Sequence, residues 1–451
     1  MYLNPVNSIF TGFFYFMTHS SLEQIYSLFQ AHSVVCTDSR NPIKGSIFFA
    51  LSGPSFNGNA FAIQALDGGC AYAIIDDENY QHDNRFILVE NTLQTLQDLA
   101  RLHRQKMNIP VIGITGSNGK TTTKELVRNV LSKKFNTLAT IGNLNNHIGV
   151  PLTLLRITQE TEIAIIEMGA SKQGDIQELV DIAEPTFGII TNIGLAHLEG
   201  MGGREGVIKT KTELYQYLRE HSGMVFLNSM HPIFIEKAQG IRKFTFGNSE
   251  TDDIWADFEG SNPFVKFSWK KKTENLPHNA VNTQLMGRYN FENIIAALSI
   301  GVYFSVPDDA IEEAIRSYNP DNNRSQIVET GKNTLIMDAY NANPTSLEAA
   351  ILNFDEMEAP NKILIIGKMM ELGETAEMEH ERIGKLATSK SFHQVYLIGE
   401  TYKKVGITEA EKLFDTTEDA YAWFKEHPVS KATILIKGSR ANKLEMLQSL
   451  F

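Results

Sequence analysis

Short apolar runs recur along the chain, and polar stretches with helical spacing separate them. Up to about residue 105 the runs fall at 47–51, 71–75 and 86–89, with glycine-rich turns between them. A polar stretch at 93–106 then predicts a helix that ends before Pro110. From 111 the beat strengthens: apolar runs at 111–115, 163–167 and 187–191 alternate with helical patterns. Strands alternating with helices predict a mainly parallel, doubly wound sheet. Residues 241–285 break that rhythm and read as β-rich, with Phe244, Phe246, Trp255, Phe258, Phe264, Phe267 and Trp269 spaced through them. Near Pro320 the α/β rhythm resumes, with runs at 335–338, 363–367, 395–399 and 433–437. The expected architecture is three α/β domains: a small one at 1–107, a central doubly wound one at 108–319, and a Rossmann-like one at 320–451.

Length agrees, since 451 residues exceed what one hydrophobic core serves. The formal net charge of -12 argues against a nucleic-acid partner. The two cysteines, Cys36 and Cys70, form no metal-binding pair and read as buried reduced thiols. Residues 9–17, IFTGFFYFM, resemble a signal core, yet Lys and Arg are absent from the first 39 residues and no cleavage pattern follows. The run is too short for a bilayer. It is expected to be a buried segment or an extension before Met17, with Thr18-His19-Ser20-Ser21-Leu22-Glu23 opening a helix. No membrane partner is expected, and a monomer in the cytoplasm is.

The strand at 111–115 runs into Thr115-Gly116-Ser117-Asn118-Gly119-Lys120-Thr121-Thr122-Thr123. Glycines at 116 and 119 let backbone amides curl toward an anion, and a helix beginning at Lys120 adds its positive end. Lys120 supplies a full charge for β- and γ-phosphates, and the Thr121 hydroxyl can ligate Mg²⁺. The general phosphate-loop pattern wants glycine where Ile114 stands. The alternative is a plain glycine turn.

A second oddity lies at 205–220. Val207, Leu214, Tyr215 and Leu218 form one helical stripe, and Lys211 falls inside it. A lysine there either snorkels its ammonium to water or serves chemistry. Glu167 ends one apolar run, and Thr191-Asn192-Ile193-Gly194 with His197 and Glu199 follow another. Ligands gather at strand C-termini in such sheets. Glu167 and His197 therefore read as a candidate magnesium site.

These motifs resemble the Mur ligase family over nearly the whole chain. The resemblance rests on the phosphate loop, Glu167-Met168-Gly169, Asn192-Ile193-Gly194 with Ala196-His197-Leu198-Glu199, Thr37-Asp38-Ser39-Arg40, Gly142-Asn143-Leu144-Asn145-Asn146, Asp338-Ala339-Tyr340-Asn341-Ala342-Asn343-Pro344, Met370-Glu371-Leu372-Gly373 and Lys437-Gly438-Ser439-Arg440. It implies an ATP-dependent amide ligase working through an acyl-phosphate in cell-wall precursor synthesis. Lys211 is implied to be carbamylated and to join Glu167 and His197 on magnesium. Thr121 and Glu167 are implied to hold another Mg²⁺. The 341–343 asparagines, with Thr345 where a sister enzyme has arginine, resemble the members that use a UDP-muramoyl-tripeptide and D-Ala-D-Ala.

The resemblance also assigns further residues. Asn290 and Asn293 would bind adenine, or simply cap a helix. Arg324 would reach the γ-phosphate, and Asp338 would meet ribose or phosphate, or cap a helix. Ser39 and Arg40 would meet the UDP end, and Asn143 and Asn146 the muramoyl or peptide part, unless these asparagines only form a turn. Asn341 and Asn343 belong to the substrate-binding set, and Lys437 and Arg440 would hold the dipeptide carboxylate. One departure is Asn57-Gly58-Asn59, where the family often shows Asp-Gly-His. The rivals are a sister ligase that adds diaminopimelate, lysine or a recycled peptide, a folate polyglutamate ligase, and a P-loop ATPase or kinase.

Overall fold

The computed structural model describes residues 20–320 and 324–451. The apolar run at 9–17 and the first two residues of the expected helix start lie outside the described residues. Within that start, Ser21 caps the helix Leu22–His32: its hydroxyl accepts the Gln24 amide, and Gln24 accepts the Ser21 amide in return.

The chain divides into two compact units, with the division between His103 and Arg104. The first unit carries a four-stranded, wholly parallel sheet in sequence order, Val35–Cys36, Ile47–Phe49, Tyr72–Ile75 and Phe86–Leu88. Its core gathers Phe48, Ala50, Ala65, Leu66, Ala73, Ile75 and Phe86, together with both cysteines, which are buried and free.

The second unit holds two sheets. The larger has nine strands, in the order Val281–Met286, Phe264–Lys271, Ile254–Ser261, Arg242–Gly247, Met224–Asn228, Phe187–Ile190, Val111–Thr115, Ile163–Glu167 and Thr137–Ala139. From Ile254–Ser261 to Thr137–Ala139 all neighbours are parallel, and the two strands at the far edge are antiparallel. The β-rich stretch read from 241–285 thus extends the central sheet. Val111–Thr115 and Ile163–Glu167 are buried at every position, as strands covered on both faces must be.

Lys120–Leu131 packs with Arg288–Tyr303 over a core of Ile112, Ile114, Val127, Val130, Phe226, Phe267, Trp269, Ile294 and Leu298. Arg204–Glu220 packs against Asp175–Ala183 and the sheet. Two glycines admit it: a β-carbon at Gly188 would stand 2.6 Å from Leu218, and one at Gly113 would stand 3.3 Å from Leu214. That close approach holds the helix face carrying Lys211 against the strands.

The last sheet runs Gln326–Glu329, Thr334–Asp338, Thr433–Lys437, Lys362–Gly367, Gln394–Ile398 and Lys412–Phe414. Only the first pairing is antiparallel. Thr334–Asp338 and Lys362–Gly367 flank Thr433–Lys437, so three strand C-termini converge, the usual place for a ligand. No helix among the described residues is long and apolar enough to cross a membrane.

Asn333 ties this last sheet together. Its amide donates to the carbonyls of Val429 (2.9 Å) and Phe451 (2.8 Å), and its oxygen accepts the Ala432 amide (3.0 Å). Asn333→Ala leaves these buried groups unpaired, at a cost of about 2–3 kcal/mol. Calorimetry should show the transition of this sheet about 5–10 °C lower. An unchanged transition would deny Asn333 that role.

Candidate active site

The phosphate loop leaves the central strand through two strained turns. Gly116 has φ +146° and Gly119 φ +77°, where L side chains rarely sit. A β-carbon at Gly116 would stand 2.0 Å from the Thr191 hydroxyl, and one at Gly119 would stand 2.5 Å from Asn293 Oδ1. The loop is laced to the neighbouring strand end. The Ser117 amide donates to the Asn192 carbonyl (3.0 Å) and the Asn118 amide to Asn192 Oδ1 (2.9 Å). Asn192 Nδ2 and the Thr191 hydroxyl both donate to the Asn118 carbonyl (3.0 and 2.6 Å). The Ser117 hydroxyl exchanges hydrogen bonds with the backbone of Gly194 (3.1 and 3.0 Å), and the Thr115 hydroxyl donates to the Met168 carbonyl (2.9 Å). The helix then begins at Lys120, so the amides of Lys120, Thr121 and Thr122 lack intrahelical acceptors and form an anion-binding end.

Lys120 folds over this loop, donating to the carbonyls of Gly116 (2.8 Å) and Ser117 (3.3 Å). Burial pulls its pKa down, as does nearby Arg324, while Glu167 opposes them. Glu167 is 1% exposed. One of its oxygens accepts the Thr121 hydroxyl (2.9 Å), the other the Asn145 amide (2.8 Å). Its own amide donates to the Thr140 hydroxyl (3.0 Å). Lys124 Nζ lies 3.9 Å from it, donates to the Thr140 carbonyl (2.6 Å) and pairs with Glu125 (2.9 Å).

Lys211 is 2% exposed and makes no ion pair among the described residues. Burial, and next the charge of Lys120, hold its pKa well below the ordinary lysine value. His197 shares this field: burial lowers its pKa, the charges of Lys120 and Lys211 push the same way, and Glu371 opposes them. Glu371 comes from the last sheet and pairs with His197 Nδ1. Lys120, Glu167, His197 and Lys211 therefore lie within one electrostatic cluster. Burial also raises the pKa of Tyr215, one helical turn past Lys211, and its hydroxyl has no hydrogen-bond partner among the described residues.

Residues from the last sheet reach this cluster. Asn343 Nδ2 donates to Asn118 Oδ1 (2.7 Å), and the Leu195 amide donates to the Thr345 hydroxyl (3.0 Å). Asn343 Oδ1 also caps the following helix. The Arg324 guanidinium stacks on Tyr340 at 3.7 Å, and Arg440 lies 5.8 Å from the same ring. Asp338 accepts from Lys437 (2.6 Å), so that cation is matched within the sheet, whereas Arg440 is exposed. Asn341 Oδ1 accepts the Ala342 amide.

The other expected residues stand as follows. Asn290 and Asn293 are buried: Asn290 donates to the Met286 carbonyl (2.8 Å), Asn293 donates to Asn290 Oδ1 (2.9 Å), and Asn293 accepts the Thr123 hydroxyl (3.0 Å). They thus brace the phosphate-loop helix. Asn146 Oδ1 accepts the amides of Ile148 (3.1 Å) and Gly149 (2.9 Å) in the turn leading into the helix Gly149–Leu154, while Asn143 is exposed. In the first unit, Arg40 pairs with Asp38 at the surface (2.8 Å) and the Ser39 hydroxyl donates to Gln64 (3.5 Å). Asn59, where the family often has histidine, holds Asp76 (2.7 Å), which also receives the Thr92 hydroxyl (3.0 Å).

Sequence reasoning quoted Asn145 and Glu371 within motifs and Tyr215 within the helical stripe but gave them no role, and it passed over Lys124. Lys124 carried the same signal as Lys211, a lysine on the apolar stripe of Val127 and Leu131. A carboxylate fixed by a hydroxyl and an amide, beside a histidine, suits a divalent cation. The chemistry of Glu167, Thr121 and His197 therefore fits magnesium.

A phosphate-loop helix, a cation-ready carboxylate and a second Rossmann-like sheet meeting them define an ATP-using enzyme of the P-loop ligase type. The chain belongs to the Mur ligase family: residues 114–301 match the Mur ligase middle domain, and residues 323–440 match the Mur ligase, glutamate ligase domain. A UDP-N-acetylmuramoyl-tripeptide–D-alanyl-D-alanine ligase of Bacillus subtilis (strain 168) is 34% identical over 429 residues, 91% of each chain. MurF from Acinetobacter baumannii has a crystal structure similar to this chain at a TM-score of 0.83 and 28% identity, covering 94% of this chain and 97% of that one. The MurF ligase from Thermotoga maritima, solved in complex with ADP, is similar at a TM-score of 0.82 and 26% identity, covering 93% and 96%.

Gly116→Ala and Gly119→Ala should each lower ATP affinity by about tenfold or more in titration calorimetry. Gly331→Ala is the control: its φ of +80° is as strained, but nothing lies within 4 Å. Equal losses in all three variants would show that strain alone, and not the cradle, is being read.

Proposed function

We propose that this protein is an ATP-dependent carboxylate–amine ligase that joins D-alanyl-D-alanine to a UDP-N-acetylmuramoyl-tripeptide in peptidoglycan precursor synthesis, in the cytoplasm. The observation that carries the reading is the shared field of Lys120, Glu167, His197 and Lys211 beside a phosphate-binding helix end. The names of the relatives support the choice of substrates.

The tripeptide carboxylate attacks the γ-phosphorus of ATP, ADP leaves, and an acyl-phosphate forms. The dipeptide amine then attacks the acyl carbon, phosphate leaves, and a proton is lost. The first step brings anion to anion, so fixed positive charge does most of the work. Lys120 and the amides of the loop residues Gly116 to Thr122 hold the phosphates, and Arg324 reaches the γ-phosphate from beside Tyr340. Asn290 and Asn293 would bind the adenine, and Asp338 the ribose or phosphate. Thr121 and Glu167 would hold one magnesium ion, and Glu167, His197 and Lys211, the last as its carbamate, would hold a second. Bound magnesium supplies charge neutralisation for the phosphates.

Carbamate formation consumes a neutral amine and CO₂ and releases one proton. The depressed pKa of Lys211 supplies that neutral amine, and no ion pair among the described residues ties it up. Ser39 and Arg40 serve the UDP end, Asn143 and Asn146 the muramoyl-peptide, and Asn341, Asn343, Lys437 and Arg440 the dipeptide side.

Two assays test this. Phosphate release with ATP and UDP-muramoyl-tripeptide should rise on adding D-Ala-D-Ala and stay at background with meso-diaminopimelate. The opposite preference would make the protein a sister ligase, and release without any amine would make it an ATPase. Lys211→Ala should lose at least about 100-fold in kcat, about 2.7 kcal/mol of transition-state stabilisation, with partial rescue by acetate or formate. A fully active Lys211→Ala would remove the carbamate.

A further inference from the structure

The loop after Lys362–Gly367 carries a carboxylate that the scheme above leaves unused. Met369 and Leu372 are buried on either side of the loop tip. The Met369 amide donates to His380 Nε2 (3.0 Å), and His380 Nδ1 donates to the Ala376 carbonyl (2.6 Å). Between these anchors Glu371 takes φ +61°, a left-handed conformation costly for a glutamate. Its side chain is 58% exposed and reaches His197 with one oxygen, Oε2. Its other oxygen has no hydrogen-bond partner among the described residues.

Charge bookkeeping around this loop is asymmetric. Lys120 and Arg324 supply cations suited to phosphates, and Lys211 is spoken for as a neutral amine or its carbamate. Glu167 is buried and engaged by Thr121 and Asn145, and Asp338 is matched by Lys437. A primary amine arrives at neutral pH largely as an ammonium, and none of those cations can receive it. It needs a carboxylate of its own at the edge of the cluster. Glu371 is presented there, from the sheet that also carries Asn343 and Arg440, with an oxygen to spare.

We propose that Glu371 is the residue that recognises the amino group of the acceptor, holding its ammonium beside His197 so that the amine enters next to the activated carboxyl. This rests on the ligase reading above. Glu199, whose β-carbon would lie 3.2 Å from one built on Gly373, is the neighbouring carboxylate that could compete for the role.

Glu371→Gln should raise KM for D-Ala-D-Ala by about tenfold or more, with KM for ATP and for the UDP-substrate within about twofold. Glu371→Asp should recover part of the loss. Acyl-phosphate formation without dipeptide, read by trapping with borohydride, should stay at the wild-type level. D-Lactoyl-D-alanine, which lacks the ammonium, should inhibit wild type and Glu371→Gln equally. A matching loss of acyl-phosphate would overturn the proposal and make Glu371 a positioning residue for His197. So would an unchanged dipeptide KM, or the same KM effect in Glu199→Gln alone. If wild-type protein forms acyl-phosphate but ignores the dipeptide, the choice of acceptor falls; if it forms none, the ligase reading itself falls.

Discussion

The structure turns on a concentration of positive charge where water is scarce. Lys120, Lys124, Lys211 and Arg324 converge around one strand end, and two of these lysines are almost wholly buried. Isolated ammonium groups do not stay charged in such places without partners. Lys124 has them, in the Thr140 carbonyl and Glu125. Lys211 does not. The arrangement is an electrostatic demand that the hydrophobic cores of two sheets sustain, and one that bound anions would relieve.

Backbone design makes the demand specific. Gly116 and Gly119 let the loop touch Thr191 and Asn293 so closely that no side chain fits. Asn192 then answers both the donor and the acceptor of Asn118. The last sheet delivers its residues to the same spot, because the strand ends at Asp338 and Gly367 flank a common neighbour. Asn343 and Glu371 come from the loops after those two strands and Thr345 from the first turn of the helix that Asn343 caps, and each touches the phosphate loop or the segment after Ile190.

Much of this was readable from residue order. Period and run length gave the parallel central sheet, the β-rich interval and the final α/β repeat, because buried parallel strands are apolar throughout. Strands such as Val35–Cys36 and Lys412–Phe414 were not, being too short to leave a pattern. Nor was the antiparallel strand Gln326–Glu329, whose residues are only half buried. For the site, glycine spacing marked the loop and a misplaced lysine marked the cluster. Asn145 and Glu371 stood inside quoted motifs without a role, since a polar residue in a loop carries no periodicity and its contacts depend on which distant strand it meets. Asn290 and Asn293 show the converse: an eye-catching spacing whose visible bonds brace a helix.

The strand Thr137–Ala139 lies at the margin of the nine-stranded sheet, and a margin is ordinarily where a sheet opens first. Here the residue just beyond it, Thr140, grips Lys124 with its carbonyl and Glu167 with its hydroxyl. Breathing of that border is thereby geared to the backbone of Glu167 and to the buried Lys124 beside it, so amide exchange along the edge strand reads out order at the end of the phosphate-loop helix.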